Sequence, residues 1–154
     1  MTFRIILNTT YRCRVCCDKI INKKNGDDCM LRTALNFNGR AKEAHTFYAN
    51  VFNYEIKGEN ADIWYYPETG LVGFALVDIY DTPLAMADID FDNDDYAGFS
   101  LAINLTDEAE LRRVWDALNV EEAQVIEALG KQPWSECCGY LKDKFGVTWQ
   151  FNLD

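Results

Sequence analysis

The stretch ALNFNGRAKEAHTF (residues 34–47) returns in pattern as AINLTDEAELRRVW (residues 102–115). Asn36 matches Asn104 at an offset of 68 residues, and the same offset aligns the other apolar and polar positions. Each copy has a short alternating run, a polar break, and then apolar residues at helical spacing, which is typical of a strand followed by a helix. The repeat therefore predicts two copies of one structural unit.

The runs that follow each predicted helix have the composition of strands. They lie at residues 54–57, 71–79 and 84–89 in the first copy and at residues 124–128, 136–141 and 147–153 in the second. Turn-forming residues separate the last two strands of each copy, at residues 80–83 and 143–146. On this count, residues 84–88 correspond to residues 148–152.

Each copy is thus a β-α-β-β-β module, with module one at about residues 30–90 and module two at about residues 97–154 of a single domain. One helix cannot cover both faces of a four-stranded sheet. We therefore expect an α+β fold in which the two βαβββ modules form paired curved mixed sheets around a central trough, with the helices outside.

Apolar residues at helical spacing define the core side of both predicted helices. They are Ala41, Ala44, Phe47, Tyr48 and Val51 in the first helix and Leu111, Val114, Trp115 and Leu118 in the second. Thr106 is the expected N-cap of the second helix, because the acids that follow it complement the positive end of the helix. His45 is expected on the partly exposed side of the first helix.

Alternation in the final strand divides its residues between two environments. Trp149 belongs to the core, whereas Thr148, Gln150 and Asn152 are expected to line the trough. For the first strands, the polar set is favoured as trough lining because their apolar residues are needed under the helices. That set comprises Ala34 and Asn36 with Ser100, Ala102 and Asn104, and Thr33 and Leu35 are the alternative in module one. The aromatic candidates for the walls, or else for core or dimer contacts, are Trp64, Tyr65, Tyr66 and Trp134.

Composition indicates a folded globular domain. The chain has 154 residues, of which 49% are hydrophobic and 14% aromatic, enough for a sizeable core. No apolar run approaches the roughly 18 residues of a membrane span, and the first residues lack the pattern of a secretory signal. We expect a cytoplasmic protein whose six cysteines are reduced thiols rather than disulfides.

Charge is distributed unevenly along the chain. Residues 1–29 hold six basic and three acidic residues, whereas residues 30–154 hold nine basic and 22 acidic ones. Because an acidic body repels phosphate backbones, we expect no nucleic-acid partner. Residues 1–29 show no clear periodicity and are interpreted as an N-terminal appendage. The alternative is a zinc site, although a second well-spaced cysteine pair is missing. Its ligands would be Cys13, Cys16, Cys29 and His45.

Residues 30–153 resemble the vicinal oxygen chelate superfamily, which includes glyoxalase I, extradiol dioxygenases and antibiotic-binding resistance proteins. Within it they are most similar to the PhnB-like branch. The resemblance rests on LNFNGRAKEAHTFYANVF (residues 35–52) and on a C-terminal motif. That motif consists of Trp134, Gly139, DKFGV (residues 143–147), Trp149 and Asn152 at the spacing of the branch. Residues 1–29 lie outside it.

Enzymes of this superfamily hold a divalent metal in the trough with His, Glu or Gln from strand centres. The resemblance implies four such positions here, at Thr33, Phe74, Leu101 and Gln150, with Gln150 in place of the usual Glu. A hard divalent ion needs several charged or imidazole ligands, so one carboxamide among these residues would bind it feebly. We therefore expect no metal and no cofactor, and interpret Gln150 as a hydrogen-bonding residue of the cavity.

Catalysis without a metal would need a titratable group in the trough. The candidates are Asp78, Asp88 and Glu136, each of which is as easily an exposed strand residue, and no catalytic residue is assigned. Cys137 and Cys138 are interpreted as buried structural thiols, because no neighbouring histidine would activate them. The family is sometimes described as a ubiquinone methyltransferase. This chain lacks the Gly-rich strand-to-helix turn that binds a methyl-donor nucleotide, so methyl transfer is not expected.

Three functional hypotheses follow. The first is metal-free binding of a small organic molecule, the second is metal-dependent glyoxalase or dioxygenase chemistry, and the third is a structural homodimerisation module whose trough is filled by side chains. Under the first hypothesis the ligand-binding residues are Asn36, Phe74, Asn104, Trp134, Thr148, Gln150 and Asn152. We also expect a homodimer, with neither nucleic acid nor membrane as partner.

Overall fold

The computed structural model describes residues 32–58, 62–88 and 98–154. The prediction of an N-terminal appendage at residues 1–29 and the cysteines of the zinc hypothesis lie outside these residues. Among the described residues, no helix is both long and apolar enough to cross a bilayer.

Two modules of the same topology make up the described fold. Module one contains β1 (Thr33–Asn36), α1 (Ala41–Val51), β2 (Ile63–Tyr65), β3 (Val72–Ile79) and β4 (Thr82–Ala87). Module two contains β5 (Leu101–Leu105), α2 (Glu108–Leu118), β6 (Gln124–Gln132), β7 (Ser135–Lys142) and β8 (Thr148–Leu153). The strand orders are β1-β4-β3-β2 and β5-β8-β7-β6, with the first pair parallel and the others antiparallel in each mixed sheet. The predicted α+β fold of two βαβββ modules is confirmed.

The helices supply one side of a single buried core that both modules share. On α2 the predicted stripe is confirmed, since its four apolar residues are all buried. On α1 the predicted residues are buried except Phe47, which is half-buried and packs against the core. The opposite face of each sheet is left to line the trough.

His45 is not on a partly exposed side of α1, as the sequence predicts, but is only 1% exposed. Its Nε2 lies 3.1 Å from the carbonyl oxygen of Leu76 on β3, and burial lowers the pKa of the imidazole. The backbone amide of Leu76 is bonded to Asp62, just before the short strand β2 begins. His45 thus provides a hydrogen-bond partner for a carbonyl of β3, close to the first residue of β2.

Two local predictions are wrong. Residues 54–57 do not form a strand, and the second strand of module one is Ile63–Tyr65 instead. The N-cap of α2 is Asp107 rather than Thr106, because the Asp107 carboxylate accepts a hydrogen bond from the amide of Ala109 at 2.8 Å. A carboxylate at this position also complements the helix dipole better than a hydroxyl would.

The repeat register differs by one residue from the predicted one. Met86 pairs with Leu35 in module one, and Phe151 pairs with Ile103 in module two, so Met86 is the equivalent of Phe151 rather than of Gln150. The equivalent of Gln150 is Ala85. This slip decides which side chains face the trough, because a shift of one residue exchanges the two faces of a strand.

Candidate functional site

The trough face of module two is the side of its sheet opposite α2. Trp149 and Phe151 of β8 are buried, and Phe151 packs edge-on against Trp115 of the helix at a ring distance of 5.4 Å. Thr148, Gln150 and Asn152 alternate with them and therefore lie on the trough face, where the sequence places them. All three are half-buried.

Neighbouring strands extend this face into two rows of neutral side chains. Gln150 stands between Ala102 on β5 and Tyr140 on β7. Asn152 stands between Asn104 and Cys138. Tyr140 and Cys138 are missing from the sequence-based prediction. The alternation around the buried Leu141 would have placed both on this face.

Three carboxamides on the trough face form a continuous hydrogen-bonded chain. Gln150 Nε2 donates to Asn152 Oδ1 at 3.4 Å, and Asn152 Nδ2 donates to Asn104 Oδ1 at 2.9 Å. The structure thus brings together three of the predicted ligand-binding residues. Their side chains orient one another across β5 and β8.

Module one presents a more apolar trough face. Ala34, Ala85 and Leu76 form the row equivalent to Ala102, Gln150 and Tyr140. Phe74 pairs with Trp64 of β2 across the same face. A Cβ atom at Gly73 would collide with the Trp64 ring, so the missing side chain is what allows the indole to lie against the sheet. Asn36 lies on β1 next to Ala87, and its Nδ2 donates to Asn38 Oδ1 at 3.1 Å.

The central trough positions of β1, β4, β5 and β8 are Ala34, Ala85, Ala102 and Gln150. Thr33 and Leu101 pair with the buried Leu84 and Trp149, and so belong to the core side. Three methyl groups and a neutral carboxamide do not fit a divalent cation. Nor do the described residues contain any group of three His, Cys, Asp or Glu side chains that could hold one.

A cleft of about 200 Å³ adjoins one end of the carboxamide chain. It lies between the β3–β4 hairpin of module one and strand β5 of module two. It is lined by Ala102 and Asn104 of the trough face and also by core-side residues, including Thr33, Leu84, Leu101, Ile103 and Trp149, so it runs along the edge of β5 rather than within the trough. This volume is close to that of a cavity that accepts one benzene ring.

The aromatic wall candidates take different places. Trp134 lies in the turn between β6 and β7 and is 69% exposed. Tyr66 is exposed after β2 and packs against Trp64 at a ring distance of 4.8 Å. Tyr65 packs against the core instead. Ser100 lies just before β5 and is exposed.

Two of the candidate general acids have structural partners. The Asp88 carboxylate accepts hydrogen bonds from the amides of Gly39, Ala41 and Val72 at 2.7, 2.9 and 3.1 Å, and so closes the N-terminus of α1. Glu136 is exposed and pairs with Lys131 at 2.7 Å. Asp78 is exposed on β3.

Cys137 and Cys138 are both buried free thiols, as predicted. Burial raises the pKa of Cys137, so that thiol is less readily ionised than a free cysteine. Neither thiol has an activating histidine among the described residues, since the one histidine of the chain is held at β3.

The Asp-Lys-Phe-Gly turn is a structural junction. The Asp143 carboxylate accepts hydrogen bonds from Tyr48 Oη at 2.7 Å, Trp149 Nε1 at 2.8 Å and the amides of Phe145 and Val147 at 2.9 and 3.0 Å. Burial raises the pKa of Asp143, and these four donors oppose the rise. Tyr48 belongs to α1 of module one, so the two sequence motifs that carry the family resemblance contact each other in the fold.

The paired βαβββ modules, with a trough face on each sheet, define a vicinal oxygen chelate fold. The chain belongs to the PhnB-like family, because residues 30–152 match the family model described as 3-demethylubiquinone-9 3-methyltransferase. No curated protein matches the sequence.

Solved structures agree with this assignment. The PhnB protein of Bacillus cereus is 28% identical, with a TM-score of 0.69 over 82% of this chain and 100% of its own. Protein PA1353 of Pseudomonas aeruginosa is 24% identical, with a TM-score of 0.68 over 82% of this chain and 98% of its own. A glyoxalase-related enzyme of Fulvimarina pelagi is 15% identical, with a TM-score of 0.52 over 82% of this chain and 89% of its own. The last two show the fold alone.

The family description names a methyltransferase, whose methyl donor is a nucleotide derivative. Folds that bind such groups present free amides at a helix N-terminus after a Gly-rich turn. Here Asp88 binds the amides of Gly39 and Ala41 at the start of α1, and Asp107 binds the amide of Ala109 at the start of α2. At both helix ends a carboxylate thus already occupies a place that an anionic group of a ligand would take.

Proposed function

We propose that this protein binds a small organic molecule in its trough without a metal ion. The observation that carries the proposal is the set of central trough positions, Ala34, Ala85, Ala102 and Gln150, which offer a metal ion no charged or imidazole ligand. Small side chains leave room for a ligand, and carboxamides supply hydrogen bonds to orient it. The ligand-binding residues in this proposal are those predicted from the sequence: Asn36, Phe74, Asn104, Trp134, Thr148, Gln150 and Asn152.

A homodimer is part of the proposal. Val125 and Ile126 at the start of β6 are 42% and 57% exposed and Trp134 in the β6–β7 turn is 69% exposed, and exposed apolar side chains of this size favour association. A cytoplasmic location is also proposed. It is supported by the unpaired thiols of Cys137 and Cys138, which are typical of a reducing compartment.

Metal binding and ligand binding separate this proposal from metal-dependent chemistry. We expect purified protein exposed to Zn²⁺ and then desalted to retain no stoichiometric metal in native mass spectrometry. As a matched variant, Ala102→His with Gln150→Glu places an imidazole and a carboxylate on adjacent strands, and should raise Zn²⁺ affinity at least about tenfold. One equivalent of metal on the natural protein, lost in Gln150→Leu, would overturn the proposal.

The positive test is a fragment screen by NMR. Fragments that bind should shift the side-chain NH₂ signals of Gln150, Asn152 and Asn104, assigned through single substitutions. If no fragment shifts a trough signal, the binding function is wrong and the structural-module hypothesis replaces it.

A further inference from the structure

The carboxamide chain of Asn104, Asn152 and Gln150 has two unlike ends. Gln150 and Asn152 each use their amide nitrogen within the chain, and Asn152 and Asn104 each use their oxygen. Gln150 Oε1 is therefore left as an acceptor at one end and Asn104 Nδ2 as a donor at the other, and neither has a partner among the described residues.

The two ends stay unlike whichever way the oxygen and nitrogen atoms of the three carboxamides are assigned. Turning all three carboxamides by half a rotation exchanges the donor and the acceptor but leaves one of each. A ligand that bonds the unused oxygen at one end and the unused nitrogen at the other therefore carries one donor and one acceptor of its own. A ligand with two acceptors, or with two donors, leaves one end of the chain unsatisfied, which costs affinity.

Register fixes the separation of the two ends. Gln150 pairs with Ala102, so Asn104 lies two residues along and one strand across from it. Sheet spacing places the Cα atoms of such diagonal neighbours about 8 Å apart. A single carboxamide group is too short to reach both ends, whereas a benzene ring substituted at opposite positions has a comparable span.

The surroundings favour a flat, neutral ligand. The trough face of module one carries the aromatic rings of Phe74 and Trp64, and the cleft at the edge of β5 borders Asn104. The residues on the strands next to Gln150 and Asn152 are uncharged: Ala102 and Tyr140 flank Gln150, and Cys138 lies beside Asn152. Charged residues lie only further out: Glu127 is next to Tyr140, and Lys142 is next to Thr148. The net charge of -10 also disfavours an anion approaching from solution.

We infer that the trough takes neutral, flat ring compounds that carry a hydrogen-bond donor at one end and an acceptor at the opposite end. This inference rests on the proposed small-molecule-binding function and adds the chemical class of the ligand. Asn152 is the positioning residue that fixes the orientation of the two terminal carboxamides.

A matched set of four probes tests the inference. 4-Hydroxyacetophenone carries a donor and an acceptor at opposite ends, 4-methoxyacetophenone lacks the donor, 4-ethylphenol lacks the ketone acceptor, and 4-hydroxybenzoate adds a negative charge. Their dissociation constants are measured by NMR titration of the natural protein, with the side-chain NH₂ signals as reporters. We expect 4-hydroxyacetophenone to bind at least about fivefold more tightly than each of the other three.

Single substitutions then assign each end. Gln150→Leu should remove the advantage of 4-hydroxyacetophenone over one of its two neutral analogues, and Asn104→Leu should remove its advantage over the other. Asn50→Leu is the control, because this exposed carboxamide of α1 lies on the outer face of the helix, away from the trough. It should leave all four affinities unchanged.

The possible outcomes separate this inference from the proposed function. Equal trough binding of all four probes, or a preference for 4-hydroxybenzoate, overturns the donor–acceptor inference and leaves small-molecule binding standing. The inference is also overturned if Asn50→Leu removes the tighter binding of 4-hydroxyacetophenone relative to both neutral analogues. If none of these probes binds but other fragments shift the trough signals, the ligand class alone is wrong. If nothing binds in the trough, both are wrong.

Discussion

Asp143 joins the modules through one buried side chain, which is 2% exposed and accepts four hydrogen bonds. Asp143→Ala removes the acceptor of four hydrogen bonds, those from Tyr48 Oη, Trp149 Nε1 and two backbone amides. Buried unsatisfied donors cost about 1–3 kcal/mol each, and we expect a loss of about 3–5 kcal/mol in the free energy of unfolding after local relaxation. Urea denaturation followed by tryptophan fluorescence measures it.

Asp107→Ala is the matched control, because the same substitution there removes one exposed N-cap hydrogen bond. It should cost only about 1 kcal/mol. Equal losses in the two variants would mean that the buried network adds nothing beyond a single cap.

For single residues, the sequence predicts whether a side chain faces the core or the trough better than it predicts the hydrogen bonds that the side chain makes. Gln150 and Asn152 are placed on the trough face by alternation alone, and Trp149 in the core. The roles of Asp88 and His45 could not be predicted, because each depends on a partner far along the chain. Asp88 reaches Gly39 at the start of α1, and His45 reaches a carbonyl of β3.

At the scale of elements, the two hairpins differ in the length of their turns, which makes the turns a poor guide to the repeat register. The β3–β4 hairpin closes with only two residues, Tyr80 and Asp81, both with positive φ values of 49° and 62°. The β7–β8 connection takes five residues, 143–147. Counting from the turn therefore aligns different residues in the two modules, whereas counting from the parallel pairs β1–β4 and β5–β8 does not.

Strand β2 shows the other limit of pattern analysis. Its three residues, Ile63–Tyr65, have large side chains on both faces, since Trp64 faces the trough and its neighbours pack against the core. A three-residue strand without polar alternation gives no period-2 signal. Residues 54–57 alternate better but form no strand in the structure.

The contact between α1 and the β7–β8 turn makes a pH prediction. Glu43 bonds Arg40 on its own helix and Lys144 of the turn, and these two hydrogen bonds lower its pKa from 4.5 to about 2. A lowered folded-state pKa stabilises the fold above the unfolded value, and this contribution is lost as pH falls from about 4.5 towards 2. Glu43 is about half exposed, so screening limits the effect to about 0.5 kcal/mol.

The measurement is the difference in unfolding free energy between the natural protein and Glu43→Gln. We expect the natural protein to be more stable at about pH 7 and the difference to vanish near pH 2. In a Lys144→Met background, the pH-dependent part of this stability difference should be smaller, because one of the two hydrogen bonds that lower the pKa of Glu43 is gone. A stability difference between the natural protein and Glu43→Gln that stays constant from about pH 7 to about pH 2 would contradict a lowered pKa for Glu43.

At the scale of the molecule, the two trough faces differ in chemistry although they share one topology. Module one has a row of Ala34, Ala85 and Leu76 beside Trp64, whereas module two has hydrogen-bonding groups in the equivalent row. The repeat predicts the shared topology, because apolar periodicity sets the core. It does not predict the contrast, since the core leaves trough residues free to vary between the copies.

The exposed apolar hairpin of module two leads to a prediction about assembly. Strand β6 is the outer strand of its sheet, with Ile126 exposed near its start and Trp134 exposed in the turn that follows it, so this hairpin is suited to pairing with a second copy. We expect a homodimer in analytical ultracentrifugation. Ile126→Thr with Trp134→Ser should weaken it by about 100-fold, because interface tryptophans commonly carry about 2–4 kcal/mol of binding energy.

Leu71→Thr is the control for this dimer prediction, since Leu71 is a comparably exposed apolar residue, at 41%, just before β3 in module one. Its substitution should leave the dimer dissociation constant unchanged. Dissociation by Leu71→Thr with no effect of the hairpin variant would move the interface to module one. A monomeric natural protein would contradict dimerisation itself, and ligand binding in the trough would then be a property of the single chain.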